Sequence, residues 1–289
     1  METILSSADH QVVIGHSHPT VLIGERINPT GKSKLAAALA NRDWPAVQRE
    51  ATDQIAAGAD VLDVNVGVSD QDQVILLPQV IKLLMDTVTA PLCLDSDDAR
   101  AIEAGLRIYR GKALVNSVRG DQASMDTILP LVKEYGAAVI GLTMDENGIP
   151  SRSDQRIAIA HKIVERAVRM GIEPENVIID CLALPIATDS STALITLSAI
   201  QGVHSQLGVN QTIGASNVSF GLPSRGILTG EFLGLALQMG VTCPVVDAAQ
   251  VRPAVLAADV LLGRDEYALR FIRAHRQREK TLHADSVKR

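Results

Sequence analysis

The run Val177-Ile178-Ile179-Asp180-Cys181-Leu182 (VIIDCL, 177–182) is apolar on both faces of an extended strand, with one carboxylate set among the hydrocarbon. A strand that is hydrophobic on both sides belongs in a parallel sheet covered by helices. Seven other runs have the same character: VLIGERIN (21–28), VLDVNVG (61–67), PLCLDS (91–96), ALVNSV (113–118), AVIGLTMD (138–145), TIGASNVS (212–219) and CPVVDAA (243–249). Their starts are 22 to 40 residues apart, which is one strand plus one crossover helix. The intervening segments carry apolar residues at i, i+3 and i+4, as in SDQRIAIAHKIVERAVRMG (153–171) and SSTALITLSAIQGVHSQLG (190–208). Several open on Ser or Asp as an N-cap and close at Gly136, Gly171 or Gly208. In SKLAAALANRDWPAVQREATDQIAAGA (33–59), Pro45 divides the helical pattern in two. Eight βα units in this length predict a single (β/α)8 TIM barrel of class α/β. A doubly wound open sheet would need fewer strands and usually a Gly-rich first turn. The expected division is an N-terminal extension or hairpin over 1–19, the barrel over 20–275 and a C-terminal tail over 276–289 whose last residues fray.

Composition narrows the function. The chain has 289 residues, 46% hydrophobic and 21% charged, with a net charge of −6 and only 2% aromatic residues. An acidic chain with few aromatic rings is a poor candidate for nucleic acid, which wants a basic surface or stacking platforms. No apolar window reaches membrane-spanning length, and the first residues lack the pattern of a secretory signal. Cys93, Cys181 and Cys243 lie far apart, which predicts free thiols in a reducing, cytoplasmic setting. The arginines of EYALRFIRAHRQREK (266–280) read as a solvated helix face.

A TIM barrel carries its active site at the C-terminal ends of the strands. Those ends are rich in carboxylates and amides: Glu25, Arg26 and Asn28; Asp63 and Asn65; Asp95 and Ser96; Asn116 and Ser117; Thr143 and Asp145; Asp180; Ser216, Asn217 and Ser219; and Asp247. Helix capping accounts for about half of them, Ser96-Asp97-Asp98 among the clearest. It does not account for Asp63 or Asp180, which sit inside their runs, where an unpaired carboxylate costs several kcal/mol. All seven histidines fall outside the strand ends, so no metal is expected there. The ring instead suits a neutral, donor-rich heterocycle: an N–H beside an NH2 is held by a carboxylate that accepts two hydrogen bonds. Gly31-Lys32-Ser33 resembles the end of a P-loop, but the motif's first glycine is replaced by Arg26. No G-x-S-x-G elbow is present, and no strand ends in lysine.

Together, IGERINPTG (23–31), LDVNVG (62–67), LCLDS (92–96), VNS (115–117), GLTMDENGIP (141–150), IID (178–180) and SNVSFGLPSR (216–225) resemble the pterin-binding barrel family. Within it the chain is most similar to the methyltetrahydrofolate:corrinoid methyltransferases of acetogenic, O-demethylase and glycine betaine systems. The resemblance implies a pterin pocket in which Asp95, Asn116 and Asp180 hold the amino-pyrimidinone edge. Asn217 would be the catalytic residue that reaches the methyl-bearing nitrogen, and Arg225 would lie nearby. Glu25, Asn28, Asp63, Asn65, Ser219 and Asp247 are secondary candidates. The segment after Arg225, GILTGEF, departs from the Asn-Arg pair usual in the acetogenic branch.

The implied reaction moves a methyl group between nitrogen-5 of tetrahydrofolate and the cobalt of cobalamin. The chain lacks D-x-H-x-x-G, so a separate corrinoid-binding protein would be the partner. The resemblance also implies a homodimer, and composition argues against a membrane or nucleic-acid partner. Two alternatives stand beside this reading. One is a dihydropteroate synthase-like enzyme of folate synthesis, whose strand-7 lysine motif is here Ser216-Asn217-Val218-Ser219. The other is a pterin-binding module without catalysis.

Overall fold

In a computed structural model, which describes residues 1–287 and side chains as far as residue 279, eight parallel strands form one sheet. An antiparallel hairpin comes first, β1 (Glu2–Ser6) and β2 (Gln11–Gly15). The barrel strands are β3 (Ile23–Ile27), β4 (Val61–Asn65), β5 (Leu92–Asp95), β6 (Leu114–Arg119), β7 (Ala138–Leu142), β8 (Val177–Asp180), β9 (Gln211–Thr212) and β10 (Val245–Val246). They lie side by side in the order β10-β3-β4-β5-β6-β7-β8-β9. A single bridge, Gly214 to Val245, and the Val245 N–H bond to the Ile213 carbonyl (2.9 Å) bring the two edges together.

Helices α1 (Ser33–Ala40) and α2 (Trp44–Ala57) follow β3, with Pro45 in the first turn of α2, where a missing N–H costs nothing. Then come α3 (Gln73–Met85), α4 (Ala99–Ile108), α5 (Gln122–Tyr135), α6 (Ser153–Arg169), α7 (Thr192–Leu207), α8 (Arg225–Met239) and α9 (Ala248–Leu261), one after each strand. Asp43, Asp72, Asp98, Asp121 and Asp247 each accept a backbone N–H at the start of the helix that follows. Gly136 and Gly208 end α5 and α7 in the left-handed conformation. The last helix, α10 (Leu269–Val287), crosses residue 276 without a break. The fraying expected of the final residues falls in part on 288–289, which lie outside the described residues.

Alternation along each strand sorts the side chains into two cores. One parity, including Leu62, Leu94, Val115, Val139 and Ile179, packs outward against the helices. The other points into the barrel, where Ile23, Val61, Cys93, Leu114, Ala138, Ile140, Ile178 and Cys243 meet. The hairpin belongs to this inner core: Leu5, Val12 and Ile14 pack against the same residues. Ser6 bridges to Lys112 just before β6, and the Asn210 Nδ2 donates to the Ile14 carbonyl at 3.0 Å just before β9. The hairpin therefore closes the barrel at the N-terminal ends of its strands.

Candidate functional site

The inward parity continues up each strand, and its chemistry changes. Two residues above Ile23 comes Glu25; above Val61 come Asp63 and then Asn65; above Cys93, Asp95; above Leu114, Asn116; above Ile178, Asp180. Leu142, the register partner of Asp180, is an apolar member of this upper level, and Val245 pairs with Ile23 below it. The result is a cup of carboxylates and amides at the C-terminal mouth.

Asn65, Asp95 and Asn116 are register partners across β4, β5 and β6. The Asn65 Nδ2 donates to Asp95 Oδ2 at 3.0 Å, and the Asn116 Nδ2 donates to Asp63 Oδ1 at 3.1 Å. The peptide bond after Asn116 is cis. Asp63 lies one level lower and is only 3% exposed, beneath the row that faces the mouth. Burial pushes its carboxyl well above the usual carboxylate range, and the Asp95 charge pushes it further. Asp95 is raised as well, chiefly by burial. Two carboxyls held this way do not both ionise freely, so a ligand that brings N–H donors relieves the site.

Asp180 stands on β8, between register partners Leu142 and Thr212. Burial raises its carboxyl to about 6, against the opposing pull of the Leu182 and Gly214 N–H groups and of Arg156. Its Oδ1 accepts the Leu182 N–H at 2.7 Å. Glu25 on β3 is also raised by burial and accepts the Ser216 hydroxyl at 3.0 Å. Lys32 supports that strand end from behind, donating its Nζ to the Glu25 and Arg26 carbonyls at 3.0 and 3.1 Å.

Other candidates serve the loops. The Asn28 Oδ1 accepts the Thr30 N–H at 2.9 Å, an Asx turn. Asp247 caps α9 and lies 3.8 Å from the Arg26 guanidinium. Ser219 is buried against the Thr229 hydroxyl at 2.9 Å. Arg225 folds back over the same turn, donating to the Ser216 carbonyl at 2.9 Å and stacking on Phe220 at 5.6 Å.

Asn217 is not on a strand. β9 has two residues, and Ala215–Ser219 form a 3-10 turn that presents Asn217 as an exposed residue. Small polar residues that bond the nearby backbone compete with ladder pairing: the Ser219 hydroxyl donates to the Ser216 carbonyl at 3.3 Å, and the Asn217 N–H turns to the Gly214 carbonyl at 3.3 Å. Two residues that support the strand ends are missed by the sequence reading: Lys32, in the failed P-loop motif, and Arg156, on the buried face of α6. The signal for Arg156 was available, because it precedes Ile159, Ala160 and Ile163 at the spacing of a buried helix stripe.

A cleft of about 480 Å³ opens beside the cup, lined by Asp95, Ser96, Asn116, Ser117, Arg119 and Met144 among others. A larger groove, about 580 Å³, lies on the outer wall between α2, α9 and α10 and shares no residue with the cup. Among the described residues no three His, Cys, Asp or Glu side chains gather as a metal site. No helix among them is long and apolar enough to cross a membrane.

A barrel with a polar, carboxylate-and-amide cup at the C-terminal ends of its strands has its candidate site where TIM-barrel enzymes build theirs. The family model described as pterin binding enzyme matches residues 24–247, and the chain belongs to that family. A methylcorrinoid:tetrahydrofolate methyltransferase of Eubacterium limosum is 29% identical over 265 residues, covering 89% of this chain and 96% of that one. A methionine synthase of Mycobacterium tuberculosis is also 29% identical over 265 residues, but the match spans 22% of that much longer protein. Among solved structures, the dihydropteroate synthase of Xanthomonas albilineans with 4-aminobenzoic acid has a TM-score of 0.69 at 18% identity, covering 90% of this chain and 98% of that one. The enzyme from Thermus thermophilus gives 0.64 at 18%, covering 89% and 99%. At such identities these structures speak for the fold.

Proposed function

We propose that the cup binds tetrahydrofolate and that the protein transfers a methyl group between its nitrogen-5 and the cobalt of cobalamin carried by a separate corrinoid protein. The observation that carries this reading is the register row Asn65–Asp95–Asn116 together with Asp180, all pointing inward at the mouth. Carboxylates raised by burial gain most from a ligand edge that donates paired N–H groups, as the amino-pyrimidinone of a pterin does. The similarity to the Eubacterium limosum methyltransferase along nearly its whole length supports the choice of reaction.

In this reading Asp95, Asn116 and Asp180 hold the ring and Asn217 donates to nitrogen-5. A cobalt(I) electron pair forms the new bond to the methyl carbon as the carbon–nitrogen bond breaks. The departing pair stays on nitrogen-5, which takes up a proton. Glu25, raised above its usual range by burial, accepts the Ser216 hydroxyl and so anchors the residue next to Asn217. The same transition state serves both directions. A donor whose contact strengthens as charge develops is worth about 3–4 kcal/mol in the barrier.

The test uses methylcobalamin and tetrahydrofolate, followed by the loss of methylcobalamin absorbance. Wild-type protein should consume it, and Asn217→Ala should slow the transfer by about 100- to 1000-fold while weakening 5-methyltetrahydrofolate far less. Equal losses in binding and rate would reduce Asn217 to a ground-state contact. Binding of the folate with no transfer from any methylated corrinoid would leave a pterin-binding module. The corrinoid partner should dock at the open mouth transiently, through a modest polar interface. The protein itself should purify colourless and run as a homodimer on gel filtration. Cys93, Cys181 and Cys243 are free and buried, in keeping with the cytoplasm as its place of work.

A further inference from the structure

Arg156 heads the large side chains that are fully buried, at 1% exposure, and among the described residues it forms no ion pair. It occupies the apolar stripe of α6, where leucine or methionine would pack without cost in desolvation. Its guanidinium is spent on backbone oxygens. Nε donates to the Pro150 carbonyl at 2.8 Å, and Nη1 reaches the Cys181 carbonyl at 2.8 Å, the Leu182 carbonyl at 2.9 Å and the Thr196 hydroxyl at 3.0 Å. Thr196, itself buried, passes its own hydrogen to the Leu182 carbonyl at 3.1 Å.

The Cys181 carbonyl and the Leu182 N–H belong to one planar peptide unit and point in opposite directions. The carbonyl end meets Arg156; the N–H end meets Asp180 Oδ1 at 2.7 Å. A cation, a peptide dipole and a carboxylate are thus aligned head to tail in a buried setting, where each bond polarises the next. Leu182 also sits in the left-handed region, at φ 60°, which a branched residue adopts only when its surroundings hold it there. The two carbonyl clamps and Thr196 are what hold it.

We propose that Arg156 is a positioning residue for Asp180, fixing and charging it through the Cys181–Leu182 peptide unit so that its remaining acceptor sites face the pterin edge. This rests on the pterin reading of the cup. The groups facing Asp180 are Arg156 from α6, the adjacent Cys181 thiol and the Cys243 thiol from the segment entering β10. Burial keeps both thiols protonated, which leaves Arg156 as the charge that acts on the carboxylate.

Two measurements test the relay. The first is a carbon-13 NMR titration of the aspartate carboxyls in ligand-free protein, with Asp180 assigned from the spectrum of Asp180→Asn. Asp180 should titrate near pH 6 in the wild type and measurably higher in Arg156→Met. The second is calorimetry with 5-methyltetrahydrofolate at pH 8 on Arg156→Lys, which keeps the charge but loses the planar fork. Affinity should fall about tenfold, while the Asp180 titration stays close to wild type. An unmoved Asp180 titration in folded Arg156→Met, or wild-type affinity in Arg156→Lys, overturns the proposal. If the Met variant does not fold, the Lys variant decides alone. Wild-type protein that fails to bind the folate defeats the pterin reading instead, and the ligand-free titration still tests the relay.

Discussion

The two ends of the barrel are made from the same strands in the same alternation, and they differ by two residues of height. At the lower end the inward side chains are Ile23, Val61, Leu114, Ile178 and their neighbours, sealed by Leu5, Val12 and Ile14 of the hairpin. At the upper end the same columns continue as Glu25, Asp63, Asp95, Asn116 and Asp180. The lower end gains stability from apolar area removed from water, at roughly 25 cal/mol per Å². The upper end gives stability up, because buried carboxyls are held away from their favoured ionised state. The division teaches that stability and binding are supplied by separate storeys of one scaffold.

Removing one methyl-rich plug residue should separate them most sharply. Ile14→Ala is expected to cost about 2–5 kcal/mol of unfolding free energy in chemical denaturation. The affinity of the folded fraction for 5-methyltetrahydrofolate should stay within about twofold. A parallel fall in affinity would break the comparison, since it would couple the plug to the cup. The mirror experiment is Asp180→Asn at the other end. An amide must turn a donor toward the ligand's donors, and this costs about 2–4 kcal/mol of binding, or roughly 30- to 1000-fold in affinity. A melting curve separates lost binding from lost folding, and a folded variant that binds normally would remove Asp180 from the pocket.

The next effect is smaller and has a sign that depends on pH. A carboxyl raised in the folded protein burdens stability as pH climbs above its unfolded value near 4. The burden is complete once pH exceeds the raised value. Asp63→Asn should therefore stabilise the protein by about 1–2 kcal/mol at pH 8 and by almost nothing at pH 4. Equal effects at both values would show that packing, not charge, is responsible.

The lower end supplies the opposite sign. His16, against the His204 ring at 4.4 Å, is depressed to about 4 by burial and by His204. Its contribution is fully present above about pH 6.5 and is lost as pH falls toward 4. His16→Gln should blunt the loss of stability between those values and change little at pH 8. Identical profiles for variant and wild type would exclude His16 from the acid response.

Much of this was legible in the residues. Eight apolar runs at regular spacing dictate the barrel, and the embedded positions of Asp63, between Leu62 and Val64, and Asp180, between Ile179 and Cys181, mark them as polar groups that capping cannot explain. Capping did explain Asp247 and, through an Asx turn, Asn28 is tied into its loop. The turn at Ala215–Ser219 was read as strand because Thr212-Ile213 begins as one. The outcome is set by local bonds of Ser and Asn that periodicity does not register. Arg156 lay outside the strand-end logic altogether. Its partners, Pro150, Cys181, Leu182 and Thr196, come from three segments that only the closed fold brings together.

The hairpin has a consequence for the order of assembly. Thr3 bonds the Glu175 carbonyl and accepts from Asn210, and the Ile14 carbonyl accepts from the same amide. These partners lie 172 to 207 residues further along the chain. The hairpin leaves the ribosome well before the segments that receive it, and synthesis at about 5–20 residues per second makes it wait on the order of ten seconds or more. During that interval Leu5, Val12 and Ile14 have only part of the inner core to pack on. Contacts of such long sequence separation are among the slowest to form. A barrel whose hairpin has not docked presents an open apolar end where Leu5, Val12 and Ile14 would pack.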